Sequence, residues 1–220
     1  HPTLAAAQGQ STRLILDRLP PPGTHILEIG IGLGTTAALL VERGYRVTGL
    51  APDPAQVTLA RQRAGAQAEF AAVRFEDFPM DSQRFDVILL QESAQYLEPS
   101  ALFAAATARL KAGGEVLVLD QFALRRTVPQ ETHLHVGEDF VQQAAHHQFG
   151  LIEHLDLSAQ AGPTLDYILK ILGKHDQALQ RWLPQSGAEL TSLREAVSAN
   201  RQRYRQGLLG YALYHFRLGT

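Results

Sequence analysis

Cysteine is missing from all 220 residues, and methionine and tryptophan occur once each. Without a thiol there is no disulfide, no thiol nucleophile and no thiolate metal site, and the redox compartment stays open. Surplus charge is scarce too, since 20 Lys and Arg stand against 22 Asp and Glu, a net −2. That balance gives no general electrostatic attraction to nucleic acid or to an anionic membrane. No apolar run approaches the roughly 20 residues that cross a bilayer, and no leader-like segment opens the chain. The expectation is a cytoplasmic protein, monomer or homodimer, with no nucleic-acid and no membrane partner. Apolar residues make up 45% of the chain and are interspersed with 18 Gly and 11 Pro. That is enough for the core of a single α/β domain over 1–220.

The most informative stretch is His25–Ile26–Leu27–Glu28–Ile29–Gly30–Ile31–Gly32–Leu33–Gly34–Thr35. Ile26, Leu27 and Ile29 suit a strand buried on both faces. Three glycines follow at alternate positions, and Thr35–Glu42 then reads as a helix. Glycine permits a sharp turn and lets a ligand approach a backbone that carries no Cβ. The helix N-terminus behind it offers unpaired N–H groups to a polar ligand. A dinucleotide fingerprint wants G-x-G-x-x-G, whose third glycine would fall on Thr35. The observed G-x-G-x-G, preceded by Glu28, therefore argues against a nicotinamide-dependent oxidoreductase.

Downstream, strands and helices alternate. Strands are expected over Tyr45–Ala51, near Ala68–Phe75, and over Arg84–Leu90, Glu115–Phe122, Leu151–Ser158 and Gly207–Leu218. A helix at 11–19 precedes the first strand, ended by Pro20–Pro21–Pro22–Gly23. About fifty residues before the last strand read as helices over Pro163–Leu172, His175–Leu183 and Glu189–Gln206, a cap at 161–206. Asp53–Pro54 reads as an N-cap followed by proline at N1. Gln91, Glu92 and Tyr96 follow the fourth strand and Asp120 ends the fifth. In open α/β sheets the ligand crevice lies beyond those strand ends. His133, His135, His146 and His147 lack a carboxylate at matching spacing and make a poor metal set, so no metal is expected. His133 or His135 fits better as a general base, because imidazole takes up a proton near neutral pH.

The acid–glycine pattern of Glu28 to Gly34, the Arg84–Phe85–Asp86–Val87–Ile88–Leu89–Leu90 strand and the passage Leu110–Lys111–Ala112–Gly113–Gly114–Glu115–Val116–Leu117 together resemble the class I S-adenosylmethionine-dependent methyltransferases. The resemblance runs from about residue 11 to about residue 122. It implies a Rossmann-like, seven-stranded, mostly parallel sheet with an antiparallel last strand, helices on both faces, and a helical insertion between strands 6 and 7 that roofs the substrate. It further implies S-adenosylmethionine as cofactor, held by Glu28, Gly30, Gly32, Gly34, Asp53, Phe75, Glu76 and Gln91. Glu92, Tyr96, Asp120 and Trp182 then become candidate contacts to a small-molecule methyl acceptor, with O- or N-methylation expected. The chain departs from the family where the second strand ends. Relatives place an acid for the ribose hydroxyls there, and this sequence has Ala51. That departure keeps open a second reading, a non-catalytic binding or scaffold protein that retains the fold with degraded cofactor recognition.

Overall fold

The computed structural model describes residues 4–79, 84–126, 134–182 and 186–219. In chain order the elements are α1 (Leu4–Leu16), β1 (His25–Ile29), α2 (Thr35–Glu42), β2 (Arg46–Ala51), α3 (Pro54–Ala64), β3 (Ala68–Ala72), β4 (Phe85–Gln91), α4 (Pro99–Arg109), β5 (Leu110–Ala123), α5 (Gly137–His146), β6 (Phe149–Asp156), α6 (Ser158–Lys174), α7 (Asp176–Trp182), α8 (Gly187–Arg205) and β7 (Leu209–Leu218).

The seven strands form one sheet in the order β3-β2-β1-β4-β5-β7-β6. Strands β1 to β5 pair in parallel, and β7 pairs antiparallel with both β5 and β6. This is the expected Rossmann-like arrangement. β1 lies fully buried at its centre, which is why its apolar run does not alternate. On one face, Leu102, Phe103 and Ala106 of α4 and Phe140 and Ala144 of α5 pack on Ile88, Val116, Val118 and Phe216. On the other, Ile15 of α1, Ala37 and Leu40 of α2 and Val57 and Ala60 of α3 pack on Ile26, Val47, Leu89 and Leu117. Period-2 alternation along β4 and β5 feeds both layers.

Several boundaries differ from the sequence expectation. The first helix ends at Leu16, short of residue 19, and its start lies upstream of residue 11. α6 begins at Ser158 and runs through Pro163 instead of starting there. A proline at the sixth position forfeits one intrahelical bond, and burial of Leu165 and Leu172 offsets that loss. Among the described residues, no helix is long and apolar enough to cross a membrane.

Candidate cofactor and acceptor site

β1 ends in a turn built from left-handed backbone: φ is +77° at Gly30, +50° at Gly32 and +73° at Gly34. The N–H groups of Gly30 and Ile31 both donate to the Leu50 carbonyl, at 2.9 and 3.1 Å, and the Gly34 N–H donates to the Ile31 carbonyl at 2.8 Å. Two of the glycines are also required by close approach. A Cβ on Gly30 would lie 2.5 Å from the Ser93 Cβ, and one on Gly34 would lie 2.6 Å from the Ala60 backbone. Gly32 differs, because nothing stands within 4 Å of where its Cβ would be. That open side is the cradle a ligand would fill. α2 starts directly behind, with Gly34 as its cap and no side-chain hydrogen bond closing its N-terminus.

Glu28 lies beneath this turn and is only 3% exposed. Its Oε2 has no hydrogen-bond partner among the described residues. Burial pushes its carboxyl up to about 8, so the apo protein holds it largely protonated at neutral pH. A buried carboxyl without a partner is a cost that a bound amino group would remove. The glycine cradle and this orphaned acid suit the amino-acid end of an S-adenosylmethionine-like cofactor.

The other candidate cofactor residues are spread around the cleft. Asp53 caps α3 by accepting the Ala55 N–H at 2.8 Å, and Ala51 before it is buried. Phe75 is 3% exposed within the core, with the Arg109 guanidinium 5.0 Å from its ring centroid. Its ring is thus covered by protein, so only its backbone is left to meet a base. Glu76 is exposed beside Arg74, at 3.8 Å. Gln91 accepts the Thr36 hydroxyl at 2.9 Å and so ties β4 to α2.

The loop after β4 forms the opposite wall. Glu92 has φ +56°, a left-handed conformation uncommon outside glycine and a marker of functional loops. Its Oε1 accepts the Tyr211 hydroxyl at 2.9 Å. Asp120 is fully buried and accepts the N–H groups of Ala94, Gln95 and Gln121 at 2.8, 3.3 and 2.7 Å. Burial raises its carboxyl to about 6 against the pull of those three donors. It orders the loop that presents Glu92. His135 Nε2 lies 3.0 Å from the Ala94 carbonyl, and its ring stacks on Phe140. A donor at Nε2 places the lone pair on Nδ1. Tyr96 and Trp182 are 72% and 77% exposed. His133 lies outside the described residues. Among the described residues, no group of three or more His, Cys, Asp or Glu is arranged to hold a metal ion.

Sequence reasoning missed three members of this constellation. Ser93 donates to the Ile29 carbonyl at 2.6 Å and fills the space that Gly30 leaves. Tyr211 reaches Glu92 because antiparallel pairing sets it opposite Gln121. Tyr204 of α8 has its hydroxyl raised well above the ordinary range, by burial first and then by Glu92, Asp120 and Asp156. Only Ser93 had a local signal, its position just after the strongly patterned β4. The two tyrosines depend on non-local pairing that no spacing announces.

Comparison with known proteins gives a consistent picture. Residues 27–118 match the family model described as a methyltransferase domain. The chain is 31% identical over 144 residues to the 2-methyl-6-phytyl-1,4-hydroquinone methyltransferase of Synechocystis sp., a stretch covering 63% of this chain and 45% of that protein. It spans between about half and two thirds of the length of the first curated relatives it matches. Among solved structures, a cyclopropane synthase from Mycobacterium tuberculosis superposes with a TM-score of 0.87 at 18% identity, covering 98% of this chain and 85% of that one. A mycolic acid cyclopropane synthase solved with S-adenosylhomocysteine and CTAB gives 0.85 at 20% identity, covering 98% and 85%.

Proposed function

We propose, from the match of residues 27–118 to a family model described as a methyltransferase domain, that the chain transfers a methyl group from S-adenosylmethionine to the O or N of a small-molecule acceptor, by in-line displacement. The observation that carries this reading is the unpartnered Glu28 carboxyl under a turn of three left-handed glycines. S-adenosylhomocysteine bound in a solved structure of the same fold supports the choice of cofactor. When bound, the cofactor supplies a methyl group already activated on a sulfonium. What remains for the protein is to bind, to align and to exclude water.

In this reading the turn at Gly30, Gly32 and Gly34 receives the methionine end, and Glu28 ionises as it takes the amino group. Asp53 stands near the ribose in place of the acid lost at Ala51. Glu76 and the Phe75 backbone border the adenine, and Gln91 fixes the wall beside the reacting carbon. Glu92, Asp120, Tyr96 and Trp182 belong to the acceptor side. His135 accepts the acceptor's proton at Nδ1, with His133 as the alternative base.

Calorimetry with S-adenosylhomocysteine tests the reading. The expected result is a saturable heat that weakens about tenfold or more in Glu28→Gln, since a lost charge-assisted contact is worth at least one decade. No heat and no thermal shift at about 1 mM ligand would overturn it, a concentration that detects even weak sites. The buried Ala51 favours one second reading, a binding or scaffold protein that keeps the fold. Weak or absent cofactor heat, with no turnover across phenol and amine panels followed by mass spectrometry, is the result expected of that protein.

A further inference from the structure

A cavity of about 290 Å³ lies between α6 and α8, bordered by Ser158, Gly162 and Asp166 on one side and by Arg201, Tyr204 and Arg205 on the other. Its α6 wall is low. A Cβ added to Gly162 would meet nothing within 4 Å. Its α8 wall is cationic, because Arg201 and Arg205 are four residues apart and share one helix face. Asp166 is the acid facing them: it pairs with Arg201 Nε and lies 3.9 Å from Arg205 Nη2. Asp166 therefore occupies Arg201 most directly and leaves Arg205, at the rim, the more weakly paired of the two. Two guanidinium charges against one carboxylate leave the lining one positive charge in excess. Tyr211 connects this cavity with the β4 loop, since its N–H donates to Oγ of the cavity-lining Ser158 at 3.1 Å and its hydroxyl donates to Glu92 at 2.9 Å.

We propose that this cavity between α6 and α8 is a subsite for a carboxylate group of the acceptor, held by Arg201 and Arg205 with Asp166 as the counter-ion it displaces. The single excess charge matches a carboxylate better than a phosphate dianion. The guanidinium fork suits two oxygens in one plane. As part of an acceptor site the proposal rests on the methyl-transfer reading, but carboxylate binding itself does not.

Saturation-transfer NMR of the whole chain with benzoate as probe tests it, with benzamide and inorganic phosphate as comparison probes. Expected is saturable benzoate binding with a Kd of about 5 mM, within the range where such weak contacts are read. Benzamide should not bind and phosphate should bind less well. Arg205→Gln, a change on an exposed side chain, should weaken benzoate about fivefold, and Arg201→Gln should weaken it more. Asp166→Asn should strengthen it about threefold by removing the competing anion, a gain that structural damage would not produce. Arg181→Gln, on α7 outside the cavity, should leave it unchanged. No benzoate signal at about 20 mM, equal binding of benzamide, tighter binding of phosphate, or indifference to both arginine changes would overturn the proposal. Calorimetry with S-adenosylhomocysteine on the same samples separates the two claims. Cofactor heat without benzoate binding sinks only the subsite, and benzoate binding without cofactor heat sinks only methyl transfer.

Discussion

The cleft has two walls of different construction. The first, from β1 to α3, is made by backbone: three glycines with positive φ, a helix start and two close approaches to Ser93 and Ala60. The second, from the β4 loop across β7 to α8, is made by side chains from distant parts of the chain. Tyr211 reaches Glu92 across 119 residues. A backbone-made wall has few sequence solutions, because each glycine is demanded by sterics. A side-chain-made wall has many, and under the methyl-transfer proposal that freedom is where acceptor choice would reside. The contrast predicts that changes in the first wall cost stability and cofactor binding together, whereas changes in the second mainly alter acceptor kinetics.

The largest effect is expected at Gly30→Ala. A Cβ 2.5 Å from Ser93, on backbone at +77°, should destabilise the fold by about 3 kcal/mol and abolish the calorimetric heat of S-adenosylhomocysteine. A stable variant with normal cofactor binding would break the contrast at its strongest point. Next comes the pH response of the apo protein. The Glu28 carboxyl rises from 4.5 to about 8 on folding, so the folded state holds a proton that the unfolded state has released across that window. Stability from this group is fully present below pH 4.5 and is lost as pH rises toward 8. Thermal melts should therefore show a downward slope over that range that Glu28→Gln flattens. Cofactor should flatten it too in the wild type, by giving the ionised form a partner.

Smaller effects test both walls. Tyr211→Phe removes the donor to Glu92 and should cost about 1 kcal/mol, raise the acceptor KM and leave S-adenosylhomocysteine affinity unchanged. Loss of cofactor affinity here would merge the two walls. Asp53→Ala removes a helix cap, with an expected loss of about 1 kcal/mol or slightly less by denaturant melt. A parallel loss of about tenfold in cofactor affinity is expected from the proposed place of its carboxylate near the ribose, and unchanged affinity would leave Asp53 a cap alone. Trp182→Ala should change stability by less than about 0.5 kcal/mol, since the side chain is exposed, and register only in acceptor KM.

Legibility followed the same division. The strands themselves were readable, because apolar runs and glycine punctuation at β1, β4 and β5 are local and periodic, and the mostly parallel sheet with helices on both faces followed from the family resemblance those segments carry. Glu28 stood out through the resemblance, two places before Gly30, and the structure shows it buried with Oε2 lacking a hydrogen-bond partner among the described residues. The helix start at Ser158 was not, because Pro163 signals an N-terminus even where a helix passes through it. Phe75 illustrates another limit. Its position was located, but the covering of its ring by Arg109, from a helix 34 residues on, depends on tertiary packing. Tyr204 and the arginines of α8 lie on a long polar helix where no local pattern separates a cavity lining from a solvated face.

The sheet order carries a consequence for how the molecule is made. Among the described residues, β6 pairs with the rest of the sheet only through β7, which the ribosome delivers more than fifty residues later. During synthesis β6 must wait, with its edge uncovered, while α6, α7 and α8 emerge. The cradle around Gly30 can by then have closed with its own neighbours β2 and β4. The last strand slides between two that are already present and completes both the sheet and the Tyr211 contact in one late, long-range event.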